Sequence, residues 1–151
     1  MYKLSRISIS VLSYQTEISE KVSDILRKFI PEDMDVYISV TKMRGQYRDR
    51  IRMHQIEVTS KRLTKHLLKH FLAIIGSENV RSITNSLDNY YNPDSKSIYL
   101  RLDKFKAADS IYKISRGSDV IKVEIKFDIY KSMEISDLWN DILQKVGVPD
   151  A

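Results

Sequence analysis

The sequence predicts an α+β fold in which a sheet carries helices on one face and leaves its other face to solvent. Several segments alternate apolar and polar residues, most clearly 121–129, which is the pattern of a half-buried strand. Amphipathic helical stretches stand between neighbouring pairs of such strands, and this order favours α+β over a doubly wound sheet. Only four glycines and three prolines are available for long irregular loops.

The first strand and the first helix are predicted within the first 31 residues. Apolar residues at positions 7, 9 and 11 alternate with serines, so this segment is expected to form a strand. A helix capped by Thr16 follows, with an apolar stripe that begins at Ile18. Pro31 is expected to end this helix, because proline cannot continue one.

Two strands and a second helix are predicted next. The second strand covers about 36–41, and the third runs from about Ile51 to Val58. Because the alternation of the third strand slips between positions 53 and 56, we expect a bulge or a sheet edge there. Ser60 caps the following helix and Gly76 stands at its C-cap.

Three further extended segments and two helices are predicted in the last part of the chain. A short helical piece is expected over Glu78–Ser86, followed by an extended run that ends at residue 91. Asn92–Ser95 forms a turn into a strand at Ile98–Asp103. The clear alternation at 121–129 gives the next strand, and the chain then forms a helix over about Ser136–Val146.

Length and composition predict one domain, spanning residues 1–151, and exclude several classes of protein. A chain of this size buries enough surface to fold without disulfides or metals. The absence of cysteine excludes disulfide frameworks, thiol catalysis and cysteine-ligated metal sites. The longest apolar run, Phe71–Ile75, is far shorter than a membrane span, and the N-terminus has no signal-peptide pattern. We therefore expect a cytoplasmic protein.

The positive charge of the chain is concentrated in one segment. Residues 41–66 contain eight basic and two acidic residues, a net charge of +6, whereas the other 17 basic and 18 acidic residues leave −1. A local positive field attracts polyanions whatever fold lies beneath it. The segment therefore indicates a nucleic-acid partner, with a merely solvated basic surface as the alternative.

Tyrosines lie among these cations and near a second basic strand end. Guanidinium groups contact phosphates and tyrosine rings stack on unpaired bases, so the pattern is typical of nucleic-acid binding. The alternative is that Tyr99 packs against a neighbouring strand and Arg101 pairs with an acid. The candidate contacts are Lys42, Arg44, Tyr47, Arg48, Arg50, Arg52, Lys61, Arg62, Lys65, Tyr99, Arg101, Lys104 and Lys106.

No pattern in the sequence predicts catalysis, a cofactor or a metal. His66 and His70 have a metal-ligand spacing, but Leu67 stands where a zinc protease has glutamate. Asp103 and Asp119 form no pair of carboxylates at a spacing that would place both on one face. No glycine-rich phosphate loop or serine nucleophile motif is present. An unrecognised nuclease remains the third hypothesis.

Several short motifs resemble one archaeal family. They are Thr16-Glu17 with Lys21-Val22, Pro31, the Gly45-x-Tyr47 turn, and the run Ile98–Lys104 followed by Ala107. The most specific of them is the Leu-Arg-Leu-Asp-Lys sequence within that run. The resemblance covers about residues 5–129, and the C-terminal helix at about 136–146 lies beyond it. Members are known as predicted RNA-binding proteins, sometimes as predicted exosome-associated subunits.

The resemblance implies a fold and a partner. The fold would be similar to that of the large-subunit ribosomal protein that binds 5S RNA, a curved, mainly antiparallel sheet with helices packed on one face. The activity would be RNA binding without catalysis, associated with RNA processing or degradation. We therefore expect the basic segment, the start of the Ser60 helix and the Tyr99–Lys104 strand end to form one continuous RNA-binding patch. The alternative is a protein-docking or self-assembly module that uses an exposed sheet edge near Ile51–Val58.

Overall fold

A computed structural model describes residues 1–44 and 50–147 of the chain. Within them, six strands and five helices follow one another in an order that mixes both kinds of element. They are β1 (Tyr2–Ser13), α1 (Ser19–Arg27), β2 (Ser39–Arg44), β3 (Arg50–Val58), α2 (Lys61–Asn85), α3 (Leu87–Tyr90), β4 (Tyr91–Asn92), β5 (Ser97–Asp103), α4 (Lys104–Ala108), β6 (Val120–Ile129) and α5 (Ile135–Lys145).

All six strands form one open sheet in the order β2-β3-β1-β6-β5-β4. Every described pair of neighbouring strands is antiparallel, as predicted. The longest strand, β1, lies in the middle, between β3 and β6. Its two ends therefore mark the two ends of the sheet. The position of each charged group can be described relative to them.

The two faces of the sheet differ as the alternation predicts. Inward-facing residues such as Ile9, Ile56, Leu100 and Val123 are buried in one apolar core beneath the helices. Their neighbours along each strand face the other way and are polar or partly exposed. The α+β class with helices on one face of a mainly antiparallel sheet is thus confirmed. Among the described residues, no helix is both long enough and apolar enough to cross a membrane.

The start of the first helix differs from the prediction. Helix α1 begins at Ser19, and Ile18 precedes it as an N-cap that is 60% exposed, so Ile18 does not belong to the core stripe. Thr16 does not cap the helix. Glu17 instead accepts a hydrogen bond from the Tyr14 amide at 3.1 Å and closes a turn before the helix. The competing turn, which periodicity does not reveal, moved the boundary.

The predicted bulge in β3 is wrong, whereas β3 does become a sheet edge beyond Gln55, where its pairing with β2 ends. Pairing between β1 and β3 runs without a shift from Ile7 opposite Val58 to Ser13 opposite Arg52, and β2 pairs with the other side of β3 from Arg50 to Gln55. The alternation appeared to slip because the inward position between 53 and 56 is held by a polar residue, the fully buried His54. The irregularity in the sheet lies instead in the β1–β6 pairing, between Leu4 and Arg6.

Helix α2 confirms both its predicted cap and its predicted break. The Ser60 hydroxyl accepts a hydrogen bond from the Leu63 amide at 3.2 Å, which satisfies one free donor of the first turn. Gly76 has φ +87° and ψ 162°, a conformation available almost only to glycine, and it divides the helix into two helical pieces. The first piece carries the basic residues, and its direction across β1 decides where they lie.

Candidate nucleic-acid interface

The structure does not bring the predicted contacts together in one patch. Two of them, Tyr47 and Arg48, lie outside the described residues. The others divide among the β2–β3 hairpin, the start of α2, the solvent face of β5, and α4. Each group has its own surroundings.

The hairpin surface consists of Lys42, Arg44, Arg50 and Arg52. Antiparallel register places Lys42 directly opposite Arg52 and Arg44 opposite Arg50, so all four lie on the same face of the hairpin. All four are exposed, and among the described residues none of them forms an ion pair within 4 Å. Arg50 and Arg52 line a shallow recess with the end of β1, at Ser13 and Tyr14.

The helix-end surface lies where α2 begins and α5 ends. Spacing of four residues along α2 puts Lys61, Lys65 and Lys69 on one exposed side of the helix. Two adjoining recesses share Lys65 and Lys145, and between them they join α2, the end of α5 and the start of β1. The basic residues of this surface are Lys3, Lys61, Arg62, Lys65, Lys69 and Lys145.

Carboxylates compensate this positive charge only in part. Asp141 accepts hydrogen bonds from the Tyr2 hydroxyl at 2.5 Å and from Lys145, whose Nζ lies 3.0 Å away. These bonds lower the pKa of Asp141 below its usual range, whereas burial and the same carboxylate raise the pKa of Tyr2. Asp141 is therefore ionised at neutral pH. Lys3, Lys61 and Lys65 form no ion pair with the described carboxylates.

An aromatic side chain lies beside these lysines. Tyr130 is 69% exposed and lines the same recess as Lys3, Lys61 and Lys65. An exposed tyrosine among cations can stack on an unpaired base while the cations contact the neighbouring phosphates. Tyr130 follows directly after β6, at the end of the sheet where β1 begins.

The two basic surfaces lie at opposite ends of β1. The recess of the hairpin surface contains Ser13, and one recess of the helix-end surface contains Tyr2 and Lys3. Eleven residue steps of extended strand separate Tyr2 from Ser13, which is roughly 35 Å at ~3.3 Å per residue. The Debye length at physiological salt is only about 8 Å. The two surfaces therefore act as separate positive fields.

Lys104 was predicted to contact RNA, and its position excludes this role. The side chain is 1% exposed, and its ammonium group donates to the Leu12 carbonyl at 2.9 Å and to Glu17 at 2.7 Å. It also lies 3.1 Å from Asp119. The Asp103 carboxylate caps α4 by accepting a hydrogen bond from the Lys106 amide, and this turn directs Lys104 inward. Lys104 is thus a buried side chain with a structural role, whereas Lys106 is exposed.

Tyr99 and Arg101 lie on the solvent face of β5, as the alternation predicts. The Tyr99 hydroxyl donates to Glu124 at 3.0 Å, so this ring, 43% exposed, is anchored to the neighbouring strand. Burial would raise the pKa of Glu124, but hydrogen bonds from Ser97, Tyr99 and Arg6 outweigh it and lower that pKa. Arg101 stands opposite Lys122. Because Glu124 stands opposite Tyr99, this face of β5 and β6 carries charges of both signs. Tyr99 contacts the neighbouring strand as the alternative predicts, whereas Arg101 forms no ion pair with a described carboxylate.

Each of the three histidines contacts a polar group of the chain itself. His66 lies 2.9 Å from Asp33, whose pKa is lowered by that bond, and His70 lies 3.4 Å from the Lys28 carbonyl. His54 is enclosed by serines of β1 and α1. Over residues 1–44 and 50–147, no group of three or more histidine and carboxylate side chains is placed to hold a metal ion.

Sequence reasoning missed four members of the helix-end surface, namely Lys69, which lies just beyond the basic segment, and three distant residues. Lys3, Tyr130 and Lys145 are far from the basic segment in sequence, and Lys145 fits a structural role because it pairs with Asp141 one helical turn away. No local pattern marks these residues as partners of Lys61 and Lys65. Only the packing of α2 and α5 against β1 brings them together.

Comparisons with known structures support the fold. The chain is similar to a DUF54 protein of Archaeoglobus fulgidus, AF2318, with a TM-score of 0.80, 23% identity, and coverage of 93% of this chain and 99% of that one. A second DUF54 protein, SSO0741 of Sulfolobus solfataricus, gives a TM-score of 0.71 at 22% identity and covers 93% and 96%. At this identity the likeness concerns the fold.

Two archaeal proteins are similar in sequence over most of their length. The RNA-binding protein PAB1135 of Pyrococcus abyssi is 28% identical over 123 residues, which are 80% of this chain and 79% of that protein. The uncharacterized protein MJ0213 of Methanocaldococcus jannaschii is 26% identical over 84% of this chain and 87% of its own. A family model described as RNA binding matches residues 6–127. Because this match covers most of the chain, the protein belongs to that RNA-binding family.

Proposed function

We propose that this protein binds RNA chiefly through phosphate contacts, with the helix-end surface as the principal contact and without catalysing a reaction. The observation that supports this most strongly is the convergence of six basic side chains from β1, α2 and α5 around two adjoining recesses. Membership of the RNA-binding family supplies the class of partner. Association with RNA processing or degradation stays a prediction.

The first turn of α2 favours an anionic ligand for a second reason. The positive end of the helix dipole points towards this turn, where acidic residues are stabilising and basic ones are not. Lys61 and Arg62 occupy it, and no acidic residue does. Folding alone gives no reason for this arrangement, whereas a bound phosphate would interact favourably with the dipole, the free amides and the cations together.

Stacking and phosphate contact can occur side by side at this surface. Tyr130 offers an exposed ring next to Lys3, Lys61 and Lys65. The geometry suits single-stranded or unpaired RNA, whose bases are free to stack, because a paired base has no accessible face. Phosphate contacts carry no sequence information, so binding is expected to tolerate many sequences.

Replacing Lys61, Arg62 and Lys65 with glutamine should weaken RNA binding. Each lost single-strand contact removes about 0.7 from the log–log salt slope, which corresponds to roughly 4-fold in affinity at 0.15 M salt. Three contacts therefore predict a loss of about 50-fold and a slope smaller by about 2. Titration of labelled single-stranded RNA at several salt concentrations measures both, and intact RNA at the end confirms binding without cleavage.

A variant with the same change in net charge provides the control. Arg81, Lys113 and Arg116 are exposed and lie outside both basic surfaces, so their replacement by glutamine should cost little affinity. Equal losses in the two variants would mean that only overall charge matters. A wild-type affinity that does not change with salt would contradict phosphate contact altogether.

A further inference from the structure

The hairpin surface bears an arrangement of charge that folding does not favour. Lys42 faces Arg52 and Arg44 faces Arg50, so two successive cross-strand pairs consist of like charges. Directly opposed like charges destabilise a sheet, because their side chains lie within about 5 Å of one another. Solubility is served equally well by alternating cations with acids, so it does not explain this pattern.

The opposite face of the same hairpin has a different composition. Met43 stands opposite Ile51, and Thr41 opposite Met53, so that face is largely apolar. The four cations are thus sorted onto one face by the two-residue period of the strands. Exposure to solvent alone does not require the cations to lie on one face of the hairpin and the other side chains on the opposite face.

Among the described residues, the surroundings of the hairpin surface compensate only a small part of its positive charge. Glu17 is the acidic residue of the recess that holds Arg50 and Arg52, and its carboxylate accepts a hydrogen bond from Lys104 at 2.7 Å. Because Lys104 also lies 3.1 Å from Asp119, this group of three charges keeps one excess negative charge, against four cations on the hairpin surface. Tyr14 lines the recess too, with its ring 5.1 Å from the Lys104 ammonium, which holds the ring in place.

From this arrangement we propose that the hairpin surface is a second, independent RNA site, so that one chain holds two RNA segments at once. The inference rests on the proposed function and extends it. The roughly 35 Å between the surfaces exceeds the Debye length of about 8 Å several times, so neither site feels the charge of a ligand bound at the other. A short RNA fills one site, and a long RNA that spans both binds with an added gain from effective concentration.

The test counts short RNAs per chain. Calorimetric titration with a uridine hexamer at about 0.1 M salt, where the Debye length is still only about 10 Å, should give two hexamers per chain for the wild type. Replacing Lys42, Arg44, Arg50 and Arg52 with threonine should leave one hexamer per chain at the helix-end surface. The variant of Lys61, Arg62 and Lys65 should also leave one, bound at the hairpin. Circular dichroism establishes that both variants are folded.

A longer RNA and thermal melting provide two further measurements. The wild type should bind a 30-nucleotide RNA at least 10-fold more tightly than either variant, because only the wild type engages two segments. Without RNA, the threonine variant should melt at a higher temperature than the wild type in low salt, since its like-charge pairs are gone. High salt should reduce this difference.

The results that would contradict the second site differ from those that would contradict RNA binding itself. One hexamer per wild-type chain, or a threonine variant that binds both RNAs as the wild type does, overturns the second site and leaves the proposed function in place. Absence of any RNA binding by the folded wild type overturns the proposed function, and the second site with it.

Discussion

Lys104 and Lys106 show how two neighbouring lysines with the same formal charge take different roles. The ammonium group of Lys104 joins the end of β1, the turn before α1 and the segment before β6 through Leu12, Glu17 and Asp119. Lys106, two residues later, is exposed. A charge count treats the two alike, because it contains no information about which one the α4 turn directs inward.

Replacing Lys104 with methionine should destabilise the protein by about 2–4 kcal/mol. The change leaves the carboxylates of Glu17 and Asp119 without their partner, and because both are partly exposed the cost falls somewhat below that of a fully buried pair. Unfolding in urea, followed by circular dichroism, measures the difference. Affinity of the folded variant for RNA should be unchanged within a factor of about 2 if its contribution is purely structural.

Lys106→Met is the matched control for this prediction. The side chain is exposed and no described carboxylate pairs with it, so its replacement should change the free energy of unfolding by no more than about 0.5 kcal/mol. If both substitutions had the same small effect, the hydrogen bonds of Lys104 would contribute nothing to stability and the assignment of a structural role would be wrong.

At the scale of an element, the break in α2 ends the basic helix piece at Gly76. Gly76 separates the piece that begins at Ser60, packed across β1, from the piece that leads into α3. The conformation at Gly76 is one that a residue with a Cβ atom adopts only with strain. The sequence predicted this break correctly because a glycine at the end of a helical period is itself a local signal.

Gly76→Ala should therefore cost about 1–3 kcal/mol of stability. Nothing lies within 4 Å of the position that the new Cβ would occupy, so the cost comes from backbone conformation and not from a clash. Gly117→Ala is the comparison, since Gly117 has no left-handed φ and its added Cβ would make a contact of 3.4 Å with Ser115. Thermal melting of the two variants should separate them, and equal melting temperatures would contradict backbone strain at Gly76.

Strand β3 illustrates the reverse case, in which a local signal misled. A polar residue at an inward position was interpreted as a change of register, because periodicity assumes that inward positions are apolar. His54 fits there because the Nδ1 atom lies 2.7 Å from the Ser23 hydroxyl and Nε2 lies 2.8 Å from that of Ser13. These partners come from α1 and β1, so only tertiary packing explains why a histidine is tolerated.

At the scale of the whole molecule, the same histidine links folding to pH. Burial lowers the pKa of His54, and the positive charges of Arg52 and Lys104 lower it further, while Glu17 and Glu20 oppose this effect. The folded pKa is thus below the unfolded value of about 6.5, and the unfolded chain takes up the proton first as pH falls. The stability that neutral His54 contributes is complete above about pH 6.5 and is lost as pH decreases.

We expect the free energy of unfolding to fall between pH 6.5 and pH 5, by at most about 1.4 kcal/mol per pH unit from this histidine. Denaturant unfolding at a series of pH values measures the slope, and His54→Gln should make it shallower. His70→Gln leaves His54 in place and should retain the wild-type slope. If His54→Gln left the slope unchanged, protonation of His54 would not limit stability in acid.

The sequence by itself determined the features that depend on neighbours along the chain. The side-chain period of two established which face of β1, β5 and β6 enters the core, and Ser60 and Gly76 marked the start and the break of α2. It also indicated that charge is concentrated in one segment, and through family likeness it indicated RNA. These properties are local because side-chain direction and capping are decided within a few residues.

Only the tertiary structure decided how the charges are grouped. One run of basic residues becomes two surfaces, because β3 carries the chain from one end of the sheet towards the other before α2 begins. Lys3 and Lys145 join Lys61 through packing between elements that are distant in sequence. Electrostatic attraction falls off within about 8 Å in physiological salt, so proximity in space, and not in sequence, determines which cations act together.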